Sequence, residues 1–219
     1  MAQVIGSTAS MERIEEHLRV TLRAALARGG DVAEVAQGRL AGAIAAIDVA
    51  IDCWEAADEA ETRAWEAVLV QDVKSDLGIS RVRDAMWNML GRPRVCPVLD
   101  QVFPGGVETY TAGDPRRQPV LMQVLRSRLA TASAPGWPRE QCEAWAAKIE
   151  ALRAPYEAAV EAHRPAEAAM MVADVHYRWA VHEGQECLLA YKRDLRSLGL
   201  TQEEIHEIIP DVTRPPDVA

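Results

Sequence analysis

The chain has 219 residues, a formal net charge of −9, an apolar share of 49% and one Phe beside six Trp. The negative charge argues against a general nucleic-acid binder, because such binding rests on neutralising phosphates. The longest apolar run, residues 40–51, is too short to span a bilayer, so no membrane partner is expected. Because alanine supplies much of the apolar share, the composition favours closely packed helices over a sheet.

The cysteines are spread too widely to form a local metal site or a redox pair. More than forty residues separate each from the next, and no CxxC pattern occurs. Residues 1–10 also lack the basic segment and apolar core of a signal peptide. We therefore expect a cytoplasmic protein with reduced thiols. The four cysteines are Cys53, Cys96, Cys142 and Cys187.

A first hairpin unit is predicted at residues 10–90, after a loose leader at residues 1–9. Apolar residues at steps of three and four predict a helix from Met11 to about Arg28, with Ser10 as its N-cap. The pair of glycines that follows is expected to end this helix, because glycine punctuates helical patterns.

The second helix of this unit is predicted to run from Asp31 to Leu77. Asp31 is expected to cap it, since an acidic residue stands at the capping-box position three residues later. Gly78 is interpreted as the C-terminal cap, and Ser80 as the start of a separate short helix.

Residues 91–118 are predicted to form an irregular connection, because Pro and Gly punctuate the whole stretch. Within it, Val98 to Phe103 is expected to form one or two helical turns at most. A connection of this length is uncommon in compact proteins and is often functional or disordered.

A second hairpin unit is predicted at residues 119–209, followed by a tail at residues 210–219. Its last helix is short and is expected to begin with a capping box formed by Thr201 and Glu204. The unit therefore repeats the order of the first: a helix, a tight turn, a long helix and a short capped helix.

The long helix of the second unit is predicted from Pro138 to Leu198. Pro155 and Pro165 lie inside it, and each removes a backbone donor and clashes with the preceding turn. We therefore expect kinks, or a break at residues 163–166.

Matches between the two halves occur in the same order along the chain. Residues 18–27 resemble residues 121–130, and a Leu-Gly stop ends each long helix. We interpret this order as a duplicated helical hairpin. Two hairpins that cannot each bury their own apolar stripe predict an all-α bundle, in one domain spanning residues 1–219.

Polar residues interrupt the apolar stripes of both long helices. Carboxylates and imidazoles that face inward from neighbouring helices form the di-metal sites of ferritin-like bundles. Such a metal site is one alternative function, although the expected Glu-x-x-His spacing occurs only in the last short helix. The candidate metal ligands are Asp58, Glu61, His163 and Glu167.

The positive charge is concentrated around the irregular connection. Residues 80–130 carry eight arginines against four acidic residues, a net charge of +4, which leaves −13 for the rest of a chain whose total is −9. A positive segment on an acidic protein favours self-association through complementary surfaces. The candidate partner-binding residues are Arg92, Arg94, Arg116, Arg117 and, as an exposed aromatic anchor, Trp137.

These patterns favour a non-enzymatic helical scaffold or interaction protein that assembles with itself and requires no cofactor. A second alternative is a small-anion or phosphate binder at the same connection. There, guanidinium groups would act beside the backbone of Gly105 and Gly106 and beside Tyr110. No serine elbow, Walker pattern or dinucleotide motif is present to support catalysis or nucleotide binding.

Overall fold

The computed structural model describes residues 10–132 and 138–209. Within these ranges all regular structure is helical and no strand occurs, so the prediction of an all-α protein is confirmed. The predicted leader, the tail and the turn that contains Trp137 lie outside the described residues. The elements are α1 (Met11–Arg28), α2 (Gly30–Met89), α3 (Pro97–Val102), α4 (Glu108–Thr111), a 3-10 turn (Pro115–Arg117), α5 (Gln118–Thr131), α6 (Arg139–Ser197) and α7 (Gln202–Ile208).

The helix α2 continues through Gly78 and Ser80, so the predicted cap and the separate short helix are wrong. Gly78 keeps a helical backbone, and a Cβ at this position would overlap Cδ1 of Leu152. The glycine therefore permits a close approach of α6 and does not end the helix. Asp31 is the second residue of α2, two positions beyond the N-cap position predicted for it.

The helix α6 continues through Pro155 and Pro165, so of the two predicted alternatives, kinks or a break at residues 163–166, the break does not occur. Both prolines are exposed, while Tyr156, Val160 and His163 between them are buried. Packing of this buried face holds the backbone helical on both sides of each proline, and tertiary packing supplies most helical stability in proteins.

The connection contains more helix than its composition predicts. The helix α3 begins with Pro97, whose missing N–H has no intrahelical partner at that position in any case. The helix α4 is a single turn that was not predicted, and it directs the buried ring of Tyr110 against Phe103 at 5.7 Å. The predicted capping box of α7 is present, with Thr201 and Glu204 each bonding the other's backbone N–H.

Two compact units divide the chain in a different way from the predicted hairpins. The terminal unit comprises Met1–Asp58 and Ala169–Ala219, and the central unit comprises Glu59–Ala168. Each unit therefore contains part of α2 and part of α6, whereas the prediction grouped residues 10–90 and 119–209. The tandem hairpins are not confirmed by this division.

The terminal unit buries an apolar core made by α1, α7 and its parts of the two long helices. Leu18, Ile47 and Leu188 belong to this core. Gly184 faces the first two of these side chains, and a Cβ added there would lie 2.7 Å from Cδ1 of Leu18 and 3.0 Å from Cδ1 of Ile47. The hydroxyl of Tyr191 donates to the carbonyl of Val32 at 3.3 Å.

The central unit packs α3, α4 and α5 against its own parts of the long helices. Its core includes Met86, Leu125, Leu129, Trp145 and Ile149. Within this unit α2 and α6 run antiparallel, because residues later in α2 contact residues earlier in α6. This arrangement brings the polar residues of both helices face to face.

Candidate functional site

The central unit contains a polar cluster that joins several of the predicted site residues. We define it as Glu61 and Trp65 of α2, His163 and Glu167 of α6, and Arg116 of the 3-10 turn. Nε2 of His163 lies 2.7 Å from Oε1 of Glu61, and the imidazole is 1% exposed. The indole ring of Trp65 covers it, with the ring centroids 5.1 Å apart. The histidine is thus enclosed by one carboxylate and one aromatic ring.

Arg116 attaches the connection to this cluster. Its guanidinium donates to Oε1 of Glu167 at 2.9 Å and lies over the ring of Trp65, 4.9 Å from the centroid. The side chain of Asp114 accepts from the backbone N–H of Arg116 at 3.0 Å, which caps the 3-10 turn. Of the four arginines predicted to bind a partner, Arg116 is therefore engaged within the chain.

A second pair of carboxylates extends the polar contacts along α2. The hydroxyl of Tyr156 donates to Asp72 at 2.6 Å, and the amide of Gln118 donates to Asp76 at 2.5 Å. Burial raises the pKa of Asp76, although the Gln118 hydrogen bond opposes that shift. Burial also raises the pKa of Tyr156, and its bond to Asp72 acts in the same direction. Each inward carboxylate therefore has a specific donor.

The candidate metal ligands do not converge. Glu61 and His163 contact each other, whereas Glu167 is bound to Arg116 and Asp58 is exposed. Across residues 10–132 and 138–209, no group of three or more His, Cys, Asp or Glu side chains could hold a metal ion. The contacts of the cluster link α2, α6 and the connection.

The predicted partner-binding arginines separate into two kinds. Arg92 has a left-handed backbone (φ +58°), donates to the side chain of Asn88 at 2.7 Å and lies 5.7 Å from the ring centroid of Trp87. Arg94 and Arg117 are exposed, and no ion pair or hydrogen bond joins their side chains to another described residue. These two guanidinium groups are the ones available to a partner.

The arrangement proposed for an anion site does not form around Tyr110. This tyrosine is 1% exposed, its hydroxyl donates to the carbonyl of Val102 at 2.7 Å, and it accepts from Arg128 at 3.0 Å. Burial raises its pKa. Tyr110 therefore anchors α4 inside the central unit and does not face a ligand.

The exposed tryptophan in the described part of the chain is Trp179, which the sequence analysis did not single out. Its side chain is 64% exposed, whereas Trp145 is fully buried in the central core. Its position was a usable signal, because Trp179 falls between Arg178 and Ala180, out of phase with the buried Val181 of α6. A tryptophan outside the apolar stripe is a better surface candidate than one inside it.

Comparisons with known proteins do not indicate a family. No protein-family model, no curated protein and no solved structure matches the chain. In the part of the chain that the structure describes, no helix has both the length and the apolar character needed to cross a membrane.

Proposed function

We propose that this chain is a non-enzymatic helical interaction protein that self-associates through the exposed arginines of its connection. The observation that carries this proposal is the exposure of Arg94 and Arg117 without an acidic partner among the described residues. Many other arginines of the chain, such as Arg19, Arg39 and Arg153, are paired with nearby carboxylates. Unpaired guanidinium groups on a chain of net charge −9 favour contact with the acidic surface of a second copy.

The proposal also includes the predicted duplication of a helical hairpin and the predicted cytoplasmic location. A duplicated helical hairpin supplies two related halves with one basic connection between them. A cytoplasmic location agrees with four cysteines that are all free thiols. The polar cluster supports a scaffold role, because His163 is buried against Glu61 and Trp65 and these contacts hold α2 against α6.

Sedimentation velocity of the full chain over a range of protein and salt concentrations tests the proposal. We expect a mass above that of the 24.1 kDa monomer at low salt. The mass should fall at high salt, because the screening length shortens from about 10 Å at 0.1 M to about 3 Å at 1 M. The combined substitution Arg94→Glu and Arg117→Glu should lower the mass of the assembly at low salt. A wild-type chain that stays monomeric at every concentration contradicts self-association.

The matched control is Arg63→Glu with Arg139→Glu. These arginines are exposed, and among residues 10–132 and 138–209 each pairs with an acid one turn away, Glu59 or Glu143. The control changes the net charge by the same amount as the test variant and should leave the assembly intact. Equal dissociation of both variants would show that net charge, and not the connection, governs association. Arg116 is unsuitable for this test because it holds Glu167 inside the chain.

A further inference from the structure

A groove in the central unit combines an apolar floor with a basic rim. It encloses about 550 Å³ between α2 and α6. Leu77, Val82, Trp145 and Leu152 supply apolar lining, and Gly78 allows the two helices to approach closely there. The rim consists of Lys74, Arg81 and Lys148. We call this feature the basic groove.

The cations of the basic groove are not neutralised by the chain. Within the described residues, no ion pair or hydrogen bond joins Lys74, Arg81 or Lys148 to another side chain. Two of the three lysines in the sequence stand on this rim, although the chain is acidic as a whole. Three unpaired cations beside an apolar floor suit a partner that is both apolar and negatively charged.

The apolar surface extends from the groove along α2. Val70, Val73 and Leu77 are 50%, 59% and 55% exposed. They stand at positions i, i+3 and i+7, which place them on one side of the helix. Side chains at this spacing form a ridge on a helix, and a second helix can pack against such a ridge. The occupant with a matching shape is therefore a helix.

The terminal unit carries a helix face of the required kind. Val172, Val175 and Trp179 of α6 stand at the same spacing and are 54%, 62% and 64% exposed. The same side of α6 continues into the exposed carboxylates of Glu183 and Glu186. We call these five residues the acidic stripe.

We propose that the acidic stripe of one copy docks in the basic groove of a second copy. Trp179 supplies the apolar anchor, and Glu183 and Glu186 meet the cations of the rim. This inference rests on the proposed self-association and adds a second contact to it. The two surfaces differ, so the contact is head-to-tail and each copy offers one free surface of each kind. Association then extends beyond a dimer, into closed rings or open chains.

A charge exchange tests the docking in the full-length chain. The groove variant carries Lys74→Glu and Lys148→Glu, and the stripe variant carries Glu183→Lys and Glu186→Lys; all four positions are exposed on helices. Each variant alone should sediment as a smaller species than wild type, because like charges face each other across the contact. An equimolar mixture should recover the wild-type assembly, because every groove then meets a stripe of opposite charge.

Two further measurements separate docking from a general charge effect. Trp179→Ala leaves the charge unchanged and should weaken association at least about tenfold, whereas Val120→Ala, at an exposed valine of α5, should not. Carbodiimide coupling in a mixture of nitrogen-15-labelled and unlabelled chains should join Lys74 or Lys148 of one copy to Glu183 or Glu186 of another. Full circular-dichroism spectra establish that each variant is folded.

The outcomes distinguish this inference from the function on which it rests. A monomeric wild type rejects both. Assembly that survives in the groove variant, the stripe variant and Trp179→Ala rejects the docking and leaves self-association standing. Assembly that is lost in the groove variant but kept in Arg94→Glu with Arg117→Glu supports the docking and rejects the contact through the connection. Failure of the mixed variants to recover assembly also overturns the docking.

Discussion

The terminal and central units use the same long helices but place their polar contacts differently. In the terminal unit, ion pairs such as Arg28–Glu204 and Arg39–Asp194 join side chains that are about one third to one half exposed. In the central unit, the carboxylates of Asp72 and Asp76 reach the buried side chains of Tyr156 and Gln118. The acids of the terminal pairs belong to α7 and α6, whereas the central pairs join two acids of α2 to buried donors.

This difference shows which contacts decide how the helices align. Exposed ion pairs contribute little stability, because water screens them and long side chains lose entropy. A carboxylate that loses its donor inside a protein costs more, because its desolvation is then uncompensated. We infer that inward contacts such as Asp72–Tyr156 help to specify the register of α2 against α6 in the central unit. In the terminal unit the polar contacts between these helices are an exposed ion pair, Arg39–Asp194, and a bond from Tyr191 to a neutral carbonyl.

The largest expected effect comes from removing a buried leucine from the core of either unit, which tests whether the two cores unfold separately. Leu40→Ala in the terminal core and Leu125→Ala in the central core remove fully buried side chains of the same type. Each should lower the free energy of unfolding by about 2–5 kcal/mol. Hydrogen exchange measured by mass spectrometry should accelerate mainly in the unit that carries the substitution. Equal acceleration in both units from either variant would show one cooperative core.

An intermediate effect compares the two buried tyrosine hydroxyls. Tyr156→Phe removes the donor to Asp72 and should cost about 1.5–3 kcal/mol, because the acceptor is a carboxylate. Tyr191→Phe removes a 3.3 Å bond to a neutral carbonyl and should cost about 0.5–1.5 kcal/mol. Urea unfolding of both variants measures the difference. Equal losses would remove the distinction between inward polar contacts in the two units.

The smallest expected effect is the loss of stability when one surface carboxylate in each unit is replaced by an amide. A hydrogen bond from Arg153 lowers the pKa of Glu150 in the central unit to about 2. The folded pKa of Glu150 lies below its unfolded pKa of about 4.3. Ionised Glu150 therefore stabilises the fold fully at pH values above about 4.3. This contribution to stability is lost as the pH falls from the unfolded pKa through the folded pKa of about 2. Glu150→Gln should therefore cost less than about 1 kcal/mol near neutral pH, and the difference from wild type should narrow as the pH falls.

The comparison in the terminal unit is Glu204→Gln. A backbone hydrogen bond from Thr201 is the main cause of the lowered pKa of Glu204, and glutamine can keep that capping contact. The Glu204→Gln variant should therefore lose less stability at neutral pH than the Glu150→Gln variant. Unfolding free energies measured by urea at several pH values check both variants. A larger loss for Glu204→Gln would reverse the predicted order.

Local signals in the sequence predicted much of the helical structure. The bounds of α1, the extent of α6 and the capping box of α7 agree with the structure to within one residue or two. Each depends on interactions within a few turns, such as apolar spacing, a glycine stop or a Thr-x-x-Glu cap. The errors at Gly78 and at the predicted break beside Pro165 arose where packing against a second helix overrides a local rule.

The candidate site was predicted only in part, for the same reason. The sequence placed Glu61, His163, Glu167 and Arg116 among the residues of interest, and the structure joins them in pairs. The sequence did not indicate that Arg116 would bind Glu167 or that Trp65 would cover His163. Those partners lie far apart along the chain, and periodicity alone does not show which helix faces meet.

The sequence by itself determined the helical class, most helix ends and the concentration of positive charge around the connection. These follow from propensities and caps that act within a turn or two, and from composition. Only the tertiary structure decided which charged and aromatic groups were used inside the fold. The contact of Arg116 with Trp65, the exposure of Trp179 and the basic groove beside Gly78 all depend on the register of packed helices, which sequence spacing leaves open.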